Sequence, residues 1–233
     1  MLINGTNINS FGAKQLTVEM QAGQIDNTNT WSSNFLTPFL NYAKTGFSTL
    51  ELLLLVNGVN REECLIKANN IIALCLKEKA NVITLDGYTN NNFVGTLTGN
   101  KVEKSVRKEY YKLTLNFNGY LEGNKTYTKE IKTSGTITNN STTKTPCKIT
   151  LTSTADVASA TVKINYREIT IKNITANSSI ILNGLTGEFT ENGSNKFGDI
   201  DLWELPYLDA GNNTITCNKN YITVKIEYKN RFI

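Results

Sequence analysis

Apolar and polar positions alternate at period two along much of this chain, the spacing of β-strands. Near the end, Ile222, Val224, Ile226 and Tyr228 take one face while Thr223, Lys225, Glu227 and Lys229 take the other, which predicts a half-buried antiparallel strand. Tyr111, Leu113, Leu115 and Phe117 alternate likewise with Lys112, Thr114 and Asn116. Residues 47–56 are apolar at nearly every position and predict a strand covered on both faces.

One segment keeps a helical period. Asn60 can cap a helix over 61–79, and Glu63 completes a capping-box pair. Glu62 and Glu63 at its start and Lys77 and Lys79 at its end suit the helix dipole. At 100° per residue, Leu65, Ala68, Ile72, Cys75 and Leu76 form the expected core stripe. Leu74 falls opposite, flanked by Ile66 and Ile71, and reads either as a contact with another subunit or as a solvent-exposed Leu.

Short strands at 2–3 and 16–20, then at 82–85, 93–97, 101–106 and 110–117, complete an antiparallel meander around that helix. The expected first domain is 1–125, a small sheet with one helix. Within it, residues 22–46 show no sustained period yet carry Trp31, Phe35, Phe39 and Tyr42. Large aromatics on a polar, irregular stretch read as an arm buried on a neighbouring subunit, or as a long loop over its own core. Residues 122–146 are polar and rich in Thr and Asn, a linker flowing into a second domain over 135–233. There, strands at 147–153, 160–166, 167–171, 179–182, 187–190, 214–217 and 221–228, with no helical period, predict a β-sandwich. The fold class expected is mainly β with one helix.

Composition narrows the chemistry. The 233 residues carry a net charge of +4 from 24 basic and 20 acidic residues, scattered without a basic block, so no nucleic-acid partner is expected. There is no His, which excludes Ser-His-Asp and Cys-His catalysis, His-ligated metal and imidazole pH switching. The longest apolar run is far below the ~20 residues that span a bilayer, and the first residues lack a signal-peptide pattern, so a cytoplasmic folding compartment is expected. Cys64 and Cys75, eleven apart on one helix, lie ~16 Å apart and cannot bridge. Cys147 and Cys217 could fall on neighbouring strands of the sandwich and read as a disulfide or as two buried thiols, the latter favoured by a reducing cytosol. The 32 Asn, with excess Lys, Ile and Thr, match an AT-rich bacterial or phage coding bias.

Few residues offer chemistry. Asp199 and Asp201 in GDIDLW are too few for a cation and too close in sequence to face across a cleft, and read as a solvated loop. Asn-x-Ser/Thr triplets, as at Asn173, follow from the abundance of Asn and Thr. Trp203 and Tyr207 offer an aromatic platform for a sugar ring, weighed against plain packing around Pro206. No catalytic, cofactor-binding or metal-binding residue is assigned.

The opening LINGTNINSFG, the middle NREECLIKANNIIALCL with VITLDG, FVGTL and YYKLTLNFNGY, and the closing LPYLDAGNNTITC and ITVKIEYKNRFI resemble, in that order, the distal tail proteins of long-tailed phages infecting Gram-positive bacteria. The closing pattern is the most specific: Leu205, Pro206, Leu208, Gly211, Asn213, Ile215, Tyr228, Arg231 and Phe232 occupy its positions. Asn230 and Asp209-Ala210 stand where such proteins often have Pro. The resemblance implies an N-terminal sheet-and-helix domain forming a homo-hexameric ring and a C-terminal galectin-like β-sandwich outside it. It also implies a non-enzymatic virion protein at the tail tip, assembled in the host cytoplasm. Its partners would be the tail tube protein, the tape measure protein and a tail-associated lysin or receptor-binding protein. Trp31, Phe35, Phe39, Tyr42 and Leu74 are then candidates for the subunit interface. The alternative is a carbohydrate-binding module gripping a host cell-wall glycan through Trp203 and Tyr207.

Overall fold

The computed structural model describes residues 1–30 and 39–233, with side chains outside 26–45. The chain falls into two units, Met1–Glu122 and Gly123–Phe232. The first holds β1 (Leu2–Ile3), β2 (Thr6–Asn7), β3 (Ala13–Gln21), β4 (Ile25–Thr30), β5 (Phe39–Thr45), β6 (Ser48–Asn57), helix α1 (Arg61–Leu76), β7 (Asn81–Thr84), β8 (Asn91–Lys104) and the start of β9 (Tyr110–Ile131).

Strand β6 pairs antiparallel with β3 on one side and β9 on the other, with Leu52 opposite Leu115 and Leu54 opposite Leu113. Leu50, Leu52, Leu54 and Val56 are fully buried, whereas Leu53 and Leu55 are half-exposed. The apolar run is therefore sealed on one face only, because the cover expected on the second face is incomplete. Strands β1 and β2 form a two-residue hairpin on Asn4-Gly5, both at positive φ (51° and 77°), the backbone that Asn-Gly adopts at least cost.

Asn60 caps α1 through Oδ1, which accepts the Glu63 N–H at 2.9 Å, and Glu63 reaches back to the Val59 N–H at 2.7 Å. The expected reciprocal cap is thus present, one residue out of register at Val59. The buried stripe, however, is Cys64, Ala68, Ile71 and Cys75, while Leu65 and Leu76 are exposed. Ala68 and Cys75 are thus buried as expected and Ile72 packs partly on the core, while Cys64 and Ile71 take the buried places expected for Leu65 and Leu76. Leu74 is half-buried and packs on this same core, so it does not stand on an outer face. The helix ends at Leu76, leaving Lys77 as its C-cap and Lys79 beyond it.

Residues 25–30 and 39–45 pair as the β4–β5 ladder, with Thr30 opposite Phe39, where an irregular run was expected. Residues 122–146 are likewise not a linker. Strand β9 continues to Ile131, and β10 (Ser134–Asn139) and β11 (Thr145–Ser153) follow at once. The Thr-rich polarity belongs to exposed strand positions, while Ile131, Ile137 and Cys147 enter the core.

The remaining strands of the second unit are β12 (Val157–Ile164), β13 (Arg167–Ile174), β14 (Ser179–Asn183), β15 (Phe189–Glu191), β16 (Ser194–Asn195), β17 (Ile200–Leu202), β18 (Tyr207–Leu208), β19 (Gly211–Cys217) and β20 (Ile222–Phe232). One sheet runs β16-β15-β14-β11-β20 and the other β10-β19-β12-β13-β17, all antiparallel neighbours. The shared core takes Ile149, Ile180 and Val224 from the first sheet and Val162, Ile171 and Ile215 from the second, which makes a β-sandwich. In β20 the inward residues are Ile222, Val224, Ile226 and Tyr228, as the alternation requires.

All four cysteines are buried thiols. Cys147 lies on β11 and Cys217 on β19, in opposite sheets and not on neighbouring strands. Burial pushes the Cys75 thiol up to about 11 and the Cys147 thiol up to about 12.

Candidate functional site

The side chains that converge at a surface cleft belong to the second unit, and the closing sequence motif builds the frame beneath them. Asn213 is fully buried and stitches the Asp209–Gly211 turn. Its Oδ1 accepts the Asp209 N–H at 2.8 Å, and its Nδ2 donates to Asp209 O at 2.8 Å and Gly211 O at 3.0 Å. Gly211 takes φ 86°, as a residue without Cβ can.

Strands β12 and β13 meet in a tight turn whose first residue, Asn165, is left-handed (φ 56°). Its amide donates to Thr214 O at 2.7 Å and its Oδ1 accepts the Thr214 N–H at 2.8 Å, so the turn is pinned to β19. The next residue, Tyr166, points outward and is largely exposed. Arg167 then turns back. Its Nη2 donates to Asp209 Oδ2 at 2.8 Å, and its guanidinium lies 3.5 Å from the Tyr207 ring centre. The Nε and Nη1 atoms of Arg167 are buried without a hydrogen-bond partner, so the tyrosine π-face is their main polar company.

Tyr207 organises the cleft through its hydroxyl, which donates to Glu204 Oε2 at 2.8 Å and accepts from Lys144 Nζ at 3.1 Å. That hydrogen bond raises the Lys144 pKa against a smaller opposing effect of burial. Gly184 sits against the same segment, where a Cβ would overlap the Pro206 carbonyl oxygen. Above this frame stands Trp203, 97% exposed.

Lys144, Tyr166, Arg167, Glu168, Trp203 and Tyr207 line a cleft of about 440 Å³. A second, shallower cleft of about 660 Å³ adjoins it across Trp203, Leu205 and Glu168, and is floored by Phe189, Phe197 and Ile200. Trp203 and Tyr207 thus share one cleft, but in different roles. Tyr207 has a face covered by Arg167 and is no free platform, whereas Trp203 is open. Tyr166, Arg167, Lys144 and Glu204 were not singled out from the sequence. The one signal for Tyr166 was an aromatic at the junction of two abutting strands.

Asp199 and Asp201 do not converge on a shared site. Asp201 pairs with Lys172 at 2.6 Å. Asp199, its side chain 37% exposed, accepts from Lys196 at 3.2 Å and from Asn173 Nδ2 at 2.9 Å, so it is a partly solvated ion-pair member. Lys196 is buried and also donates to Glu191 Oε2 at 2.7 Å and Asn173 O at 2.8 Å. Burial works against the Glu191 charge, but bonds from Lys196, Ser178 and the Thr175 amide outweigh it and hold that carboxyl down at about 2. Of the other singled-out residues, Phe39 and Tyr42 fall on β5, and Trp31 and Phe35 lie outside the described residues.

Residues 140–232 match the family model of the siphovirus-type tail component, C-terminal domain. The closing residues that carried the resemblance, from Leu205 to Phe232, lie within this match. The fold agrees over the whole chain: the crystal structure of SPP1 Dit, described as a paradigm of the hub adsorption apparatus of phages infecting Gram-positive bacteria, superposes with a TM-score of 0.76 at 11% identity. That match covers 100% of this chain and 98% of the other. A chain of the phage p2 baseplate in its activated conformation with Ca matches with a TM-score of 0.53 at 12% identity, covering 94% and 90%. The same baseplate with Sr gives 0.52 at 12%, covering 93% and 90%. No curated protein sequence matches the chain.

Proposed function

We propose that this chain is the distal-tail hub of a siphovirus-type tail tip, a structural and non-enzymatic protein. Six copies close into a ring that joins the tail tube to the tail-tip and host-recognition proteins. The observation that carries this reading is the coextensive match to the SPP1 Dit hub: both units recur, in order, with almost nothing left over on either chain. The family match at 140–232 supports it independently from sequence.

In this reading the first unit makes the ring. Trp31, Phe35, Phe39 and Tyr42 are its interface candidates, and Leu74, half-buried in its own core, contributes less. The tail tube protein, the tape measure protein and a tail-associated lysin or receptor-binding protein are the partners, and the virion tail tip is the location after assembly in the host cytoplasm. Native mass spectrometry of the full chain tests it. The expected species is a hexamer of the 25.9 kDa subunit. A chain that stays monomeric at every concentration tried would refute the ring.

A further inference from the structure

We propose that the Trp203 ridge and the two clefts beside it form a binding site for an uncharged oligosaccharide. This assignment does not rest on the ring and stands or falls separately.

Trp203 is nearly fully exposed, yet it sits on an anchored segment. Four residues on, Tyr207 is held by Arg167, Lys144 and Glu204, and Asp209 by Asn213. A large apolar ring displayed on a rigid frame, with hydrogen-bonding side chains at its margin, matches the two-sided chemistry of a pyranose. Such a sugar offers an apolar C–H face and a rim of hydroxyls.

The charges point to a neutral ligand. Lys144 and Arg167 are balanced by Glu168 and Glu204 in the cleft lining, Arg167 is already committed to Asp209, and Glu168 pairs with Lys163. A phosphate-rich polymer would find no unspent cationic pair, and nucleic acid is disfavoured for the same reason. The shape points to a chain of rings. Clefts of about 440 and 660 Å³ share Trp203, Leu205 and Glu168, so a ligand crossing the indole would occupy both. Because the frame is built before the ligand arrives, little ordering is required on binding.

The chain contains two Trp, so fluorotryptophan labelling gives two fluorine NMR signals, and Trp203→Phe assigns the relevant one. Titration of the full-length protein with lactose, cellobiose, maltose and chitobiose should move the Trp203 signal saturably for at least one of them. Unlabelled Trp203→Ala, which removes an exposed side chain and leaves the fold intact by circular dichroism, should bind that sugar at least about tenfold more weakly by calorimetry. Tyr207→Phe, which frees Lys144 and Glu204, should weaken it less. No movement of the Trp203 signal at tens of millimolar of any of the four would overturn the assignment, as would binding unchanged in Trp203→Ala. A Trp203 signal that responds only to an added tail protein would overturn it in favour of a protein contact. A hexamer silent towards sugar would overturn this inference and leave the hub standing.

Discussion

Lys196→Met removes one ammonium group from the interior of the sandwich edge and leaves its length and apolar stem. In the native protein that ammonium holds Glu191 at 2.7 Å, Asp199 at 3.2 Å and the Asn173 carbonyl at 2.8 Å, with its side chain only 5% exposed. The Glu191 carboxyl, depressed from 4.5 to about 2, reports how strongly its ionised form is held. At ~1.36 kcal/mol per pKa unit this is about 3 kcal/mol at neutral pH, similar to the ~3–5 kcal/mol lost when one partner of a buried pair is deleted. Ser178 and the Thr175 amide keep part of it, and Asp199 can turn to water. A loss of about 2–3 kcal/mol is therefore expected, or a Tm about 10 °C lower for a unit of this size.

The sign with pH is fixed by the depressed carboxyl. Its contribution is complete above the ordinary 4.5 and disappears as pH falls towards about 2. The gap between wild type and Lys196→Met should accordingly be widest near neutrality and close progressively below pH ~4.5. Urea unfolding followed by circular dichroism at a series of pH values measures both. A variant within about 0.5 kcal/mol of wild type at pH 7, or a gap independent of pH, would show that the triad is not held as described.

Asn60→Ala should lower stability by about 1 kcal/mol, seen as faster amide exchange at Glu63 and Cys64, because the cap on the Glu63 N–H is lost. Gly184→Ala should cost about 1–3 kcal/mol and displace the Pro206–Tyr207 segment, because the new methyl meets the Pro206 carbonyl oxygen. A shifted Tyr207 resonance with no change at the α1 amides is the expected signature.

What could be read from residues alone followed the strength of local patterning. The final strand was legible because Ile222, Val224, Ile226 and Tyr228 have an unbroken alternation. The cap of α1 was legible because Asn60 and Glu63 carry their partners within a few residues. The helix face was legible in part: Ala68 and Cys75 are buried as expected and Ile72 packs on the core, but the stripe is turned by about one residue, so that Cys64 and Ile71 are buried and Leu65 and Leu76 are exposed. The stretch around Tyr127, Ile131 and Ile137 read as a linker, since its exposed strand positions are Thr, Lys and Asn. Asn abundance read only as coding bias, yet every non-Gly residue at positive φ among the described residues is Asn: 4, 165, 173, 177 and 192. Here the abundant Asn supplies left-handed turns. In the cleft, Trp203 and Tyr207 stood out as aromatics beside a Pro. Arg167 did not, because only the β12–β13 pairing and the Asp209 turn bring it to the Tyr207 ring.

Those left-handed turns also bear on how the molecule ages. Two of them, at Asn4-Gly5 and Asn192-Gly193, are Asn-Gly dipeptides, the kind whose side-chain amide is most open to attack by the next backbone nitrogen, a reaction that releases ammonia and leaves an acid or a lengthened backbone. In both turns the carboxamide is tethered. Asn4 is held by Asn81 Oδ1 at 2.8 Å and the Val82 amide at 2.9 Å, and Asn192 by the Ser179 amide at 2.9 Å. Swinging the carboxamide carbon towards the glycine nitrogen means breaking those bonds first. The hydrogen bonds that shape the hairpins therefore also slow their chemical decay.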